Sequence, residues 1–341
     1  MAQTKRPTIR DVAAAAGVSK SLVSLVFSSD EGVSPQRRER VLAAAKKLGF
    51  TPNPWARSLA TGAGDFMAIV VVDLHNPLFT EIADEARKEL LERGHQTFMT
   101  AASITEVNGK KVLEKSTVQT LLDLKPRGIL VVGDLPDKKT LKSVPESVPI
   151  IFATTIPKGL PRAIVLRIDE DEGMRLIVNH LVSLGHKRIC YIGSDDGEVA
   201  SARIGGFRKA MQANKLTPTE QFGDRTEDAG YAAAKLALQG KSKPTALVCF
   251  NDIVALGAQE AIGEFEAAGG HQVALTGFDN TYISALNRIS ITTVEQEKTA
   301  IAMKAAEILS DEELWRKSEG KDVLLLPRLE VRKSTSSVKL K

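Results

Sequence analysis

The stretch Thr8 to Leu25, TIRDVAAAAGVSKSLVSL, constrains this chain more than any other. It reads as a short helix, a turn at Gly17-Val18-Ser19, and a second short helix. Thr8 is placed to cap the first helix, with Asp11 three residues on as a short-armed capping-box partner. Ile9, Val12, Ala13 and Ala16 then fall on one apolar stripe at helical spacing. Gly17 suits a turn that needs positive φ, and Ser19 is placed to cap the second helix. On that helix Val23 and Val26 face inward, which leaves Lys20, Ser21, Ser24 and Leu25 outward. This is the spacing of a helix-turn-helix, in which one helix is held against DNA by the other. A third helix comes next, with Ser34 as cap, Pro35 at its first position, and Val41, Leu42, Ala45 and Leu48 as its expected inner face.

From Thr51 the chain reads TPNPWARSLATG. Asn53 is a cap candidate, Pro54 a first-position residue and Gly62 a stop. A helix of about two turns is too short to be stable alone, so this one is a candidate for folding only on contact with DNA. Charge agrees. Residues 1–60 hold 10 Lys or Arg against 4 Asp or Glu, while the rest of the 341 residues hold 36 against 38. The positive charge is concentrated where phosphates are met.

Other classes are disfavoured. The N-terminus MAQTKRPTIRD has no apolar core of a secretory signal, and no run approaches a membrane span, so a cytoplasmic protein without membrane attachment is expected. Cys190 and Cys249 each sit in an apolar strand-like run and read as buried thiols. The five histidines are scattered, and no metal-ligand spacing is present. No nucleophile, base and orienter stand together, and no G-x-G-x-x-G or Walker-type loop follows a strand. No catalytic residue, metal or cofactor is therefore expected.

Beyond the linker the chain alternates strands and helices. Expected strands are 66–72, 96–100, 128–132, 149–153, 188–192, 246–250 and 273–277. Expected helices are 77–93, 111–124, 173–184, 203–214, 230–238 and 252–265. Two consecutive βαβ series imply two doubly wound lobes in an α/β core.

The N-terminal block with AGVS at Ala16–Ser19, VSPQRRERV from Val33 to Val41, and Pro52-Asn53 with Ala56-Arg57-Ser58-Leu59 resembles the lactose-repressor and purine-repressor (LacI/GalR) family of bacterial transcription regulators. The resemblance continues to about Arg332. It implies a helix-turn-helix head at 1–50, a hinge helix and linker at 51–64, and a two-lobed periplasmic-binding-protein-like core at 65–333. It places the lobes at about 65–164 plus 294–321 and 165–290 plus 322–333, with crossovers near 162–167, 287–293 and 319–323, and a disordered tail at 334–341. It further implies that Lys20, Ser21, Leu22 and Leu25 face the major groove, with Ser24 on the same outward side. Leu25 departs from the Arg or His common in the family; a leucine touches a thymine methyl rather than hydrogen-bonding a base edge. Leu59 matches the leucine wedged into the minor groove. Arg57 is either a phosphate contact or a solvated linker charge.

Ligands of open parallel sheets bind outside the carboxyl ends of the strands. Polar residues follow each expected strand: Asn76 and Phe79, Asp195-Asp196 and Arg203, Asn251-Asp252, Asp279-Asn280, and Gln296. A polyol needs amides, a carboxylate and an Arg fork with an apolar face for its ring. The resemblance implies effector contacts at Asn76, Phe79, Arg203, Asn251, Asp279 and Gln296. Asn76 and Asp252 are equally placed to cap helices. Thr154 and Thr155 stand where many relatives have Asp then Arg. The expected effector is a sugar, a polyol such as inositol, or a nucleoside, controlling a sequence-specific DNA-binding repressor. The tail STSSVKLK lacks leucine heptads, and two heads must read two half-sites, so a homodimer on operator DNA is expected. The alternative, a solute-binding protein or sugar sensor without regulatory DNA binding, leaves the first sixty residues unexplained.

Overall fold

The first helix begins where the sequence places its cap: the Asp11 carboxylate accepts from the Thr8 backbone N–H at 2.7 Å and from its hydroxyl at 2.8 Å. The computed structural model describes residues 7–28, 32–51, 65–102, 104–107, 110–113, 115–136, 140–241 and 243–336. The chain divides into two units, residues 1–64 and 65–341.

In the first unit α1 (Ile9–Ala16), α2 (Lys20–Ser28) and α3 (Pro35–Leu48) enclose Val12, Val23, Val26, Val41, Ala44 and Ala45. Gly17 closes α1 at φ 62°, a conformation that favours glycine over any residue with a Cβ. The Ser19 hydroxyl accepts from Leu22 N–H at 3.2 Å and starts α2. Two expectations for α3 fail. Leu42 and Leu48 are exposed and Ala44 is buried instead. The 3.6-residue period puts 41, 44 and 45 on one face and turns 42 away from it. Ser34 makes no side-chain cap; its backbone carbonyl accepts from Arg37 and Arg38 at 3.0 Å. The expected hinge helix, with Arg57 and Leu59, and residues 337–341 of the expected tail lie outside the described residues. Ser334 to Ser336 are not a disordered tail but close a short helix, with Thr335 buried against Thr292 and His180.

The second unit is built from two parallel sheets. The run FMAIVV is buried at every position, as a strand covered on both faces requires. It forms β1 (Phe66–Val71), followed by α4 (Pro77–Glu92), β2 (Gln96–Ala101), a hairpin of β3 (Ile104–Val107) and β4 (Lys110–Leu113), α5 (Lys115–Asp123), β5 (Gly128–Val132), β6 (Ile150–Ala153) and β7 (Ile164–Ile168). Next come α6 (Glu170–Ser183), β8 (Ile189–Gly193), α7 (Glu198–Ala213), β9 (Thr219–Phe222), α8 (Glu227–Gln239), β10 (Ala246–Cys249), α9 (Asp252–Ala267) and β11 (Ala274–Thr276). The last elements are β12 (Thr293–Glu295), α10 (Lys298–Ser310), α11 (Glu312–Ser318), β13 (Asp322–Leu325), β14 (Arg328–Glu330) and α12 (Lys333–Ser336).

The first sheet has the order β13-β7-β6-β5-β1-β2 and the second β11-β10-β8-β9; all pairs within them are parallel. Helices α4 and α10 share a core with the first sheet, and α6 to α9 share one with the second. Strands β12 and β14 pair antiparallel and belong to the second core.

Several elements differ from the sequence expectation, among them the edge strand β9, which the pattern does not show. The expected helix at 111–124 begins only at Lys115, because 104–113 forms the β3–β4 hairpin. The resemblance makes β7 a crossover and places β13 in the second lobe, but both pair within the first sheet. Each passage between lobes therefore falls a few residues late: after Ile168, between Glu295 and Lys298, and between Leu325 and Arg328. Arg167 interrupts the apolar pattern of β7, and the edge strand β13 is only half-buried, which hides both from a pattern reading.

Candidate functional site

The carboxyl ends of the two sheets face one another. Lys158, beyond β6, pairs with Glu198 at the start of α7 at 2.6 Å. Glu81 of α4 accepts from Tyr282 N–H at 3.0 Å. Lys298, opening α10, donates to the Asp279 carbonyl at 3.2 Å and pairs with Glu295 at 3.1 Å. The strand-end residues are thus brought to one cleft between the lobes.

At its second-lobe wall lies a buried polar cluster. Arg203, on α7, is 3% exposed. Its Nε donates to Glu170 Oε2 at 2.8 Å, its Nη1 to the Phe250 carbonyl, and its Nη2 lies 3.4 Å from Asp279 Oδ1. The guanidinium sits 3.8 Å from the Phe278 ring centroid and 4.7 Å from that of Phe250, a stacking that favours the cation. Gly173 makes room for this arrangement: a Cβ there would approach Phe278 Cζ to 2.7 Å. Gln296 Nε2 donates to the same Asp279 Oδ1 at 2.8 Å. Both side-chain donors fall on Oδ1, leaving Asp279 Oδ2 without one among the described residues. Gln296 Oε1 is buried and also has no partner among them. Buried acceptors seldom lack a donor, so Gln296 Oε1 is a candidate ligand contact.

Asp279 holds φ 113°, a strained value for a residue with a Cβ. Its N–H donates to Val294 O at 2.9 Å, which fixes the strained turn. Burial raises its carboxyl to about 7, against the pull of Arg203 and with Asp252 adding to the rise.

Asn251 and Asp252 divide their roles. Asn251 caps α9, accepting from Val254 N–H at 2.9 Å. Its Nδ2 donates to no described residue. Asp252 does not cap. It is buried and accepts from Thr281 N–H at 2.7 Å, the Thr281 hydroxyl at 2.9 Å and the Thr293 hydroxyl at 2.6 Å. That ties the loop after β11 to β12, and burial raises its carboxyl pKa.

On the first-lobe wall Asn76 caps α4, accepting from Leu78 N–H at 3.1 Å. Phe79 is half-buried and leans on Gly133, where a Cβ would come within 2.9 Å of its ring. Thr154 holds φ 60° and bonds the Ala153 carbonyl at 2.7 Å. The buried Thr155 hydroxyl has no partner among the described residues. Asp195 and Asp196 are exposed and stay out of the cluster. A separate cavity of about 360 Å³ opens at the amino ends of β6 and β7, lined by Leu141, Pro149, Leu160 and Trp315. Arg162 there is already paired with Glu146 and Glu319, so the cavity offers no comparable convergence of open polar atoms.

In the first unit Lys20, Ser21 and Leu25 are exposed on α2, and Leu22 and Ser24 half-exposed, all clear of the apolar core. Residues 8–53 match the model of the bacterial regulatory proteins, lacI family, and residues 178–335 that of a periplasmic binding protein-like domain. The HTH-type transcriptional repressor PurR of Haemophilus influenzae (strain PittEE) is 30% identical, the match covering 97% of this chain and 99% of that protein. The chain belongs to the lacI family. As a lacI-family protein it is a DNA-binding transcriptional regulator with a ligand-binding core. A solved structure of the Lac repressor dimer bound to operator and the anti-inducer ONPF is similar throughout, with a TM-score of 0.79 at 28% identity, covering 97% of this chain and 99% of that one. The regulator CelR in complex with cellobiose has a TM-score of 0.66 at 26% identity, covering 96% and 100%.

Sequence reasoning missed Glu170, Glu81 and Lys298 in this lacI-family core. Glu170 stands in the acidic run Asp169-Glu-Asp-Glu172, which reads as ordinary first-turn charge at a helix start. One signal was available: an Arg expected in a closed cleft needs a counter-charge. Among the described residues no helix is long and apolar enough to cross a membrane, and no group of three or more His, Cys, Asp or Glu could hold a metal.

Proposed function

We propose that this chain is a repressor that binds a pseudo-palindromic operator as a homodimer, and that a small sugar, polyol or nucleoside held in the cleft controls its affinity for DNA. The observation that carries the ligand half is the Asp279–Gln296 pair, buried together, with Gln296 Oε1 left without a partner among the described residues. Hydroxyl donors suit these acceptors, and Asn251 Nδ2 and the Thr155 hydroxyl add donors for the ligand's oxygens. Asn76 and Phe79 supply the opposite wall and an apolar face for a ring. The relatives favour the reading: one is a repressor, one a dimer on operator, and one a cellobiose complex. The chain acts by binding rather than catalysis.

On the DNA side Lys20, Ser21, Leu22, Ser24 and Leu25 read the major groove. Arg57 and Leu59 contact the backbone and the minor groove. The test selects bound duplexes from a random pool with the full-length chain, then titrates salt. Expected are paired half-sites and a steep loss, about 10³-fold or more between 50 and 200 mM salt for six or more phosphate contacts. A salt-insensitive interaction, or one half-site bound by a monomer, would sink the reading. For the cleft, thermal-shift screening with sugars, polyols and nucleosides should find a stabilising compound whose effect Asp279→Ala removes.

A further inference from the structure

The charge at the cleft wall is set by one cation and two carboxylates. Arg203 is already neutralised by Glu170, a residue of its own lobe, at 2.8 Å with both side chains buried. Asp279 adds a second carboxylate 3.4 Å from the same guanidinium. The neighbouring cations at these strand ends are likewise engaged. Lys298 lies on Glu295 and on the Asp279 and Asn280 carbonyls. Lys158 lies on Glu198. Arg225, 5.1 Å from the Phe250 centroid, turns its Nη2 to the Asp196 carbonyl. Beside the Asn251 amide, the open groups on Asp279 and Gln296 are acceptors. Gln296 Oε1 is buried without a partner among the described residues, and both donors to Asp279 fall on Oδ1; acceptors repel an anionic oxygen.

We propose that the cleft selects its effector by charge, and that Glu170 is the residue that sets the selection. The effector is an uncharged or positively charged polyhydroxylated or amine-bearing molecule, and phosphorylated or carboxylated counterparts are rejected. The proposal rests on the reading that Arg203, Asp279 and Gln296 line the effector cleft. Glu170 has two effects. It holds Arg203 against Phe278 through Nε, so that only Nη2 turns toward Asp279. It also cancels the positive charge that would otherwise draw a phosphate into the cleft. Without Glu170, a wall that carries an Arg fork beside donors such as Asn251 Nδ2 becomes an anion site of ordinary design.

The test uses inorganic phosphate as probe, because it needs no knowledge of the effector. Full-length wild type, Glu170→Asp, Glu170→Gln and the Glu170→Gln, Asp279→Asn double variant are titrated by calorimetry at constant ionic strength. Phosphate taken up by the basic head is common to all of them and is subtracted. Wild type and Glu170→Asp should show no saturable cleft binding. At a pH above 7, where Asp279 is ionised, affinity should then rise on the order of tenfold for each carboxylate removed, as unit charges a few ångströms away require. The gain should vanish when Arg203→Gln is added. Glu170→Asp keeps the charge while shortening the arm, so it separates charge from packing. Saturable binding by wild type that Arg203→Gln abolishes would overturn the proposal. So would Glu170→Gln and the double variant binding phosphate no better than wild type, or a gain that survives loss of Arg203. None of these would touch the cleft reading itself, which fails separately if Asp279→Ala and Asn251→Ala bind every screened compound as wild type does.

Discussion

Gln296 donates its side-chain amide to Asp279 Oδ1 at 2.8 Å, and the two side chains are buried together where the chain passes from the second lobe back to the first. The bond joins the turn after β11 to the strand-end residue that precedes α10. A ligand held by Asp279 therefore also acts on a passage between lobes.

Asp279 makes stability depend on pH. Burial raises its carboxyl from the ordinary 3.8 to about 7 in the folded chain, with Arg203 opposing and Asp252 and Glu170 reinforcing the rise. A raised carboxyl contributes stability that is complete below the ordinary value and is lost as pH rises through the folded one. The ligand-free protein should thus lose thermal stability from about pH 4 to about pH 7. Asp279→Asn should flatten that part of the profile, measured by scanning calorimetry across the range. An unchanged slope in the variant would show that Asp279 is already ionised in the fold.

Arg203→Ala should destabilise the core by roughly 3–5 kcal/mol, because it strands Glu170 as a buried carboxylate without its cation. Adding Glu170→Gln should recover part of the loss. A double-mutant cycle by urea denaturation measures the coupling. Purely additive effects would mean that the 2.8 Å contact between Arg203 and Glu170 carries no net energy.

These two residues also show how far the sequence was legible. Asp279 and Arg203 could be named because each follows a recognisable strand, and the carboxyl-end rule points at such places. Glu170 could not, because its partner lies 33 residues away and its local context is indistinguishable from a charged helix start. The same holds for the fold. The continuous apolar strands β1, β5 and β10 were plain from pattern, since both their faces are buried. Strands β7, β9 and β13 were missed, because Arg167 breaks one and the other two lie at sheet edges, where half-buried residues lose the pattern. Leu42 and Leu48 were misplaced for the opposite reason. Their apolarity suggested burial, while the helical period turns Leu42 away from Val41, Ala44 and Ala45, and Leu48, which does fall on that face, is exposed as the last residue of α3.

Gly173→Ala tests the support beneath the cluster. The added methyl would meet Phe278 Cζ at 2.7 Å, and the ring on which Arg203 stacks would have to move. Overpacking of this kind costs about 1–3 kcal/mol. Affinity for a cleft ligand found by screening should fall together with stability. A variant that keeps full affinity at lowered stability would separate the packing of Phe278 from ligand binding.

Closure of the lobes should couple effector to operator. The contacts that span the cleft include exposed or half-exposed groups: Lys158 with Glu198, and Glu81 with the Tyr282 amide. Exposed pairs are worth about 0–1 kcal/mol each, so they bias closure without locking it. Lys158→Ala and Glu81→Ala should each weaken ligand binding a few-fold while leaving the unfolding midpoint nearly unchanged. If closure is the element through which the ligand reaches the DNA-binding face, both should also shrink the ligand's effect on operator affinity. A coupling of about 1–3 kcal/mol corresponds to a 5- to 150-fold change, and linkage requires operator to change ligand affinity by the same factor. The measurement is a four-cornered one: operator affinity with and without ligand, and ligand affinity with and without operator, in wild type and both variants. Equal factors that fall together in the variants place closure on the route between the sites. A factor of one in wild type at both corners would mean that the cleft ligand does not regulate DNA binding. A large factor left untouched by both substitutions would mean that the signal passes elsewhere in the core.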